Sequence, residues 1–159
     1  MSVTLETFGQ EHVMALDHLK KLGEALRGLQ EGRKLAEVRE TLEGFAGFLE
    51  HALKSHFRQE EEALFPVLGR IIGTRGGPIA VMLLEHKQIE ASHADFSAEL
   101  QKEESDLNKL IQAGSSIISV LTPHIQKEDS ILFPMARQHL SADQLAEVDR
   151  LALGQESCC

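Results

Sequence analysis

The feature that most constrains the fold is the helical spacing of apolar residues, which only four prolines interrupt in 159 residues. Apolar side chains recur at intervals of three and four, which places them on one face of an α-helix. The strict apolar/polar alternation of half-buried strands is missing. The pattern predicts an all-α fold, an antiparallel up-down-up-down four-helix bundle with a short C-terminal fifth helix. We expect helices at about 7–27, 34–68, 78–101, 106–136 and 141–153.

The chain reads as one domain, with the bundle at 8–136, the short helix at 141–153 and a tail at 154–159. Thr7 with Gln10, and Ser141 with Gln144, have the spacing of capping boxes and predict the starts of the first and fifth helices. Pro123 lies inside the fourth helix, where its missing N–H predicts a kink or a local break beside His124.

Composition excludes several classes of protein. The formal net charge is −9, from 16 Lys and Arg against 25 Asp and Glu, and argues against nucleic acid as a partner. No apolar run is long enough for a transmembrane helix, and no signal peptide precedes the domain, so we expect a cytoplasmic protein with no membrane partner. Both cysteines, Cys158 and Cys159, lie at the extreme tail, which rules out a disulfide framework.

An internal repeat carries the chemistry. The pattern His-x-x-x-Glu-x-x-x-Leu-Phe-Pro occurs at 56–66 and again at 124–134. A spacing of four places the imidazole and the carboxylate one turn apart on the same helix face. Both pairs lie within apolar stripes, and buried carboxylates require a partner such as a cation. The pairs are His56 with Glu60 and His124 with Glu128.

The other two long helices supply one inward histidine each in this interpretation. Met14, His18, Leu22, Ala25 and Leu29 form one stripe on the first helix, and His86 lies on the apolar face of the third. We predict that four imidazoles and two carboxylates bind metal, and this donor set suits iron, manganese or zinc. The predicted ligands are His18, His56, Glu60, His86, His124 and Glu128.

These motifs resemble those of the hemerythrin-like (HHE cation-binding) family across about residues 8–136. The matching segments are Asp17-His18, His56 to Pro66, Glu85-His86 and His124 to Pro134, and the stretch 78–86 is similar to bacterial members, including repair-of-iron-centres proteins. The resemblance implies a four-helix bundle around two iron ions joined by an oxo or hydroxo bridge. It also implies that Glu60 and Glu128 bridge the two ions.

Departures from the family pattern leave alternatives open. Oxygen-carrying hemerythrins have a second histidine one turn further along the third helix, where this chain has Glu90. Glu90 or His93 is a possible further ligand, and Asp129 is the alternative to Glu128. Glu61 is a candidate to hydrogen-bond a ligand. Surface positions are predicted for His12, His51 and His139.

Three functions fit this sequence. The leading hypothesis is a di-iron protein that binds or senses O2, NO or peroxide, with a protein partner for signalling. The second is a repair or stress-defence factor that donates iron to damaged iron–sulfur clusters or turns over NO or peroxide. The third is metal buffering or a metal-stabilised structural bundle.

Overall fold

The structure is a computed structural model, and it describes residues 1–156. Within this range the chain is all-helical and contains no strand, which confirms the all-α part of the predicted fold. Cys158 and Cys159 lie outside the described residues. No helix in the described part of the chain is long and apolar enough to cross a membrane.

Five helices follow one another along residues 1–156, the part of the chain that the structure describes. Helix α1 is Val3–Gln30, helix α3 is Pro78–Leu100, and helix α5 is Ala142–Glu156. Helix α2 joins the α-helical stretches Leu35–Phe48, Lys54–Gln59 and Phe65–Ile72 through π-helical Leu49–Leu53 and Glu60–Leu64. Helix α4 joins α-helical Leu107–Lys127 and Phe133–His139 through π-helical Glu128–Leu132.

Helix α1 begins earlier than the sequence pattern indicated. Ser2 caps it by accepting a hydrogen bond from the backbone N–H of Leu5, so Thr7 lies within the helix and the predicted Thr7 capping box is wrong. The Ser141–Gln144 capping box is confirmed, since each residue's backbone N–H is bonded to the other's side chain, at 2.9 and 3.2 Å.

Two π-helical segments explain the repeated Leu-Phe-Pro tails. The N–H of Phe65 bonds to the carbonyl of Glu60, and the N–H of Phe133 bonds to that of Glu128, in both cases five residues back. A proline follows each phenylalanine and has no N–H to continue the ladder. Each tail therefore accompanies a one-residue bulge that begins at the repeated glutamate. At Pro123, where the sequence predicts a kink or a local break, helix α4 continues without a break.

The core has two apolar clusters. One lies between α1, α2, α3 and α4 and includes Leu22, Phe45, Phe96 and Ile117. The other joins the opposite ends of these helices to α5 and includes Phe8, Leu64, Phe133 and Val148. A group of buried polar side chains lies where the two clusters meet.

Candidate metal centre

Six titratable side chains converge in the interior of the protein. They come from all four long helices, and each is at most 2% exposed. Five of them were predicted from the sequence, and the sixth is His12. The six are His12, His56, Glu60, His86, His124 and Glu128.

These side chains form two overlapping groups with the same donors. One group contains His12 and His56, the other contains His86 and His124, and both contain Glu60 and Glu128. Within each group the candidate ligand atoms lie within 4.8 Å of one another. Two imidazoles and two shared carboxylates per group form a donor set that suits metal ions.

The contacts around the carboxylates are short. Glu60 lies 3.0 Å from Nε2 of His56 and 3.1 Å from Nε2 of His86. Glu128 lies 3.0 Å from Nε2 of His124 and 3.4 Å from Nε2 of His12. The Nε2 atoms of His12 and His56 are themselves 3.1 Å apart. Donor atoms therefore crowd together in the buried interior, away from bulk solvent.

Most of these atoms have no hydrogen-bond partner among the described residues. All four carboxylate oxygens of Glu60 and Glu128 lack one, as do Nε2 of His86 and Nε2 of His124. A buried polar atom without a partner is costly, and two buried carboxylates are more costly still. Cations placed among these atoms remove that cost, so the residues present fit a metal centre.

The electrostatics of the cluster also favour a bound cation. Burial and the nearby charge of Glu128 raise the pKa of Glu60 to about 8. Burial also opposes the charged form of Glu128, but contacts with His12 and His124 outweigh it and hold its pKa well below the usual range. The buried pair therefore resists carrying two negative charges unless a cation lies beside it.

A carboxylate on another long helix accepts a hydrogen bond from the outward-facing nitrogen of each cluster histidine. The four bonds run from α2 to α1, from α3 to α2, from α4 to α3 and from α1 to α4, so they close a ring around the bundle. We call these four carboxylates the outer ring. The bonds join His56 to Glu11 at 2.5 Å, His86 to Glu61 at 2.7 Å, His124 to Glu85 at 3.0 Å and His12 to Asp129 at 2.8 Å.

The outer ring determines how each imidazole faces the centre. A carboxylate only accepts, so the Nδ1 atom of each histidine donates to it. The proton of a neutral imidazole is then on Nδ1, and the lone pair of Nε2 is directed inward. Carboxylate–histidine–metal arrangements of this kind fix ligand orientation and raise ligand basicity.

Phenylalanines separate the centre from solvent. Phe57 stacks on His86 with ring centroids 3.8 Å apart, and Phe133 stacks on His12 at 5.3 Å. Phe8 meets His56 edge-on at 4.8 Å. Phe57 also lines a groove of about 300 Å³ between α2 and α3, together with Leu53, Ile89 and Ala94 among others.

The structure does not bring His18, a predicted ligand, into the cluster. His18 is only partly buried and stacks on Phe48 at 4.0 Å. The predicted stripe through Met14 and His18 takes two successive steps of four residues, which rotate about 80° away from the helix face on which Leu22 lies. Alternating steps of three and four instead lead back from Leu22 to His12.

The buried face of α1 contains the signal that identifies His12. Apolar residues alternate at intervals of three and four with a single polar residue among them, and that residue is His12. The prediction that it lies on the surface was wrong, because it is 1% exposed. The series is Leu5, Phe8, His12, Ala15, Leu19, Leu22, Leu26 and Leu29.

The remaining candidates lie outside the cluster. Glu90 and His93 line the groove between α2 and α3, and His93 is 3.9 Å from Glu50. Asp129 belongs to the outer ring, and Glu128 occupies the central position. Glu61 does hydrogen-bond a cluster histidine, as its position suggested. His51 and His139 are exposed, as predicted.

Fold and site together define a helical protein with a buried histidine–carboxylate cluster suited to metal ions. The sequence profile of the hemerythrin HHE cation-binding domain matches residues 3–149, nearly the whole chain. The chain therefore belongs to the hemerythrin HHE cation-binding domain family. No curated protein matches the sequence.

Proposed function

We propose that this protein binds two iron ions and uses them to bind or sense O2 or another small oxidant such as NO or peroxide. In this proposal His12 and His56 hold one ion, His86 and His124 hold the other, and Glu60 and Glu128 bridge them. We also propose that the four long helices alternate in direction and that the protein is cytoplasmic.

The observation that carries the proposal is the sharing of two buried carboxylates by two matched histidine pairs. Among the residues that the structure describes, the carboxylate oxygens of Glu60 and Glu128 have no hydrogen-bond partner. Positive charge between the two histidine pairs is therefore required. Mixed imidazole and carboxylate donors suit iron, and they also accept manganese or zinc.

The donor count favours reaction with a small ligand. Each group offers two imidazoles and two shared carboxylates, which are four protein donors. Metal sites that keep a position free of protein ligands can take an exogenous molecule there. When bound, iron would supply reversible electron transfer and a coordination position, while the protein orients the ligands and excludes water.

The protein's own residues set the conditions of this chemistry. The outer ring fixes the tautomer of each histidine, and the phenylalanines keep bulk water from the cluster. Phe57 stands between the α2–α3 groove and His86, so a small apolar ligand in this groove is one aromatic ring away from the cluster.

The proposal is tested by metal analysis combined with optical spectra of the reduced, oxidised and gas-exposed protein. Two iron ions per chain and a new absorption band on exposure of the reduced protein to O2 or NO are expected. The chain lacks Trp and Tyr, so absorption above the weak bands of Phe reports the centre directly. Iron loading with identical spectra under every gas would contradict ligand binding and favour metal buffering.

A further inference from the structure

The outer ring is not symmetric, because one of its four carboxylates carries a lysine. Among the described residues, Glu85 alone in the outer ring forms an ion pair with a lysine, Lys127 of helix α4. Lys87 acts on Glu61 only at longer range. Helix α4 therefore supplies both His124 and the cation that competes with it for Glu85.

Glu85 also differs from the other three outer-ring carboxylates in its exposure to solvent and in the length of its hydrogen bond to histidine. The Glu85 side chain is 15% exposed, whereas Glu11 is 38%, Glu61 is 40% and Asp129 is 43% exposed. The bond from His124 to Glu85 is 3.0 Å, the longest of the four. Because Glu85 is the least exposed of the four, its ion pair with Lys127 is less screened by water than a pair with any of the other three would be.

The consequence for the centre follows from charge. A carboxylate hydrogen-bonded to Nδ1 makes the imidazole a stronger donor at Nε2. Lys127 offsets part of the charge of Glu85, so His124 is a weaker donor than the histidines backed by unpaired carboxylates. A weaker donor and a nearby positive charge both favour the lower oxidation state of a bound metal ion.

We propose that the Glu85–Lys127 ion pair makes the two metal positions unequal, so that the iron held by His86 and His124 is the more readily reduced. Lys127 and Glu85 are positioning and charge-setting residues that act through His124. This inference rests on the proposed di-iron centre and adds to it a fixed order in which the two ions gain electrons.

The test compares reduction of iron-loaded wild-type protein with that of Lys127→Met, followed by spectroelectrochemistry. The two one-electron steps are measured separately. We expect the first step of Lys127→Met to become about tenfold less favourable, which is about 59 mV for one electron. The second step is expected to move much less, because among the described residues no lysine forms an ion pair with Glu11 or Asp129, the carboxylates behind His56 and His12.

Two further variants separate this effect from a general loss of charge or of structure. Lys127→Arg retains the positive charge and should keep both wild-type potentials. Lys54→Met removes an exposed lysine that pairs with Glu50, outside the outer ring, and should leave both steps unchanged. Iron content and helicity are measured for every variant, so a misfolded protein is identified before its potential is compared.

The shifts measured in the two reduction steps decide for or against the proposal. A selective shift of the first step in Lys127→Met, with wild-type values in the two controls, supports the proposal. Equal shifts of both steps, a shift of the second step alone, or no shift would overturn it. If wild-type protein does not hold two iron ions, the proposed function itself fails, and this outcome is recognised from metal analysis before any potential is measured.

Discussion

At the scale of single residues, each cluster histidine is defined by what it touches on both sides. Its Nδ1 atom donates a hydrogen bond to a carboxylate of the outer ring, and its Nε2 atom lies near Glu60 or Glu128. His18 has neither contact and is stacked on Phe48 instead. The pair His12 and His18 therefore offers a direct comparison on one helix.

Replacing His12 by alanine should lower the metal content, whereas replacing His18 by alanine should not. His12→Ala removes one of two imidazoles from the first ion position, so we expect at most one tightly bound iron per chain. His18→Ala removes a partly exposed ring outside the cluster and should retain two. Iron per folded chain, measured by elemental analysis, checks this, and equal loss in both variants would contradict the assignment of His12.

Most of the cluster was predictable from the sequence, and the reason lies in particular residues. His56, Glu60, His124 and Glu128 repeat with matched tails, so their positions confirm one another. His12 has no such repeat and depends on choosing the correct helix face. The partners of the outer ring lie on different helices, so no local spacing predicts which carboxylate meets which histidine.

Glu60 should oppose stability in the metal-free protein. The pKa of Glu60 is raised to about 8 in the folded state, whereas that of an unperturbed Glu is about 4.3. Its cost to folding is absent below the unfolded value and grows as the pH rises towards the folded value. Glu60→Gln should therefore raise the melting temperature of the metal-free protein more at pH 8 than at pH 5.

The same variant should lose metal, because it lacks one shared carboxylate. Calorimetry in the presence of a chelator gives the stability, and elemental analysis gives the metal content. Glu62→Gln, at an exposed position two residues away, is the control and should change neither measurement appreciably. A destabilised metal-free Glu60→Gln protein at pH 8 would contradict the electrostatic account.

At the scale of helices, the π-helical segments place the two glutamates. Segments Glu60–Leu64 and Glu128–Leu132 each begin at a shared carboxylate and end before Phe-Pro. The sequence predicted helices through both regions, but an insertion of one residue into a helical turn leaves the apolar spacing nearly unchanged. The prolines of the repeat are the signal in the sequence that accompanies these bulges.

A third π-helical segment, Leu49–Leu53, contributes Leu49, Glu50 and Leu53 to the groove between α2 and α3. If small ligands reach the centre through this groove, filling it should slow their binding. Ala94→Phe places a ring in the groove without touching the cluster, and we expect about tenfold slower association of NO or azide with the iron-loaded protein.

The control for the groove is a matched substitution on the same helix. Ala98→Phe lies one turn further along α3 and outside this groove, so it should leave the rate unchanged. Stopped-flow absorption measures both rates at equal iron content. Identical rates for Ala94→Phe and the wild type would show that ligands take another path.

At the scale of the whole molecule, helix α5 closes one end of the bundle. Asp149 accepts hydrogen bonds from the Ser2 hydroxyl at 2.5 Å and from the N–H of Thr4 at 3.0 Å, at the start of α1. Burial opposes the charged form of Asp149, but these bonds outweigh it and lower its pKa. The two ends of the described chain are therefore joined by a charged helix cap.

Asp149→Asn should reduce the free energy of unfolding by about 1 kcal/mol at neutral pH, the usual value of a helix cap. A depressed Asp pKa contributes stability above the unfolded value, and this contribution is lost as the pH falls through the folded value. The difference from wild type should therefore disappear in acid. Urea denaturation of metal-free protein at pH 7 and below pH 3 measures it, with exposed Asp95→Asn as the control.

The central claim is that two iron ions share Glu60 and Glu128 between two pairs of histidines. An anomalous-scattering crystal structure of the iron-loaded protein at the iron edge tests it most directly. We predict two peaks, one beside His12 and His56 and the other beside His86 and His124, both in contact with the two glutamates. A single peak, or a peak at His18 or His93, would contradict the account.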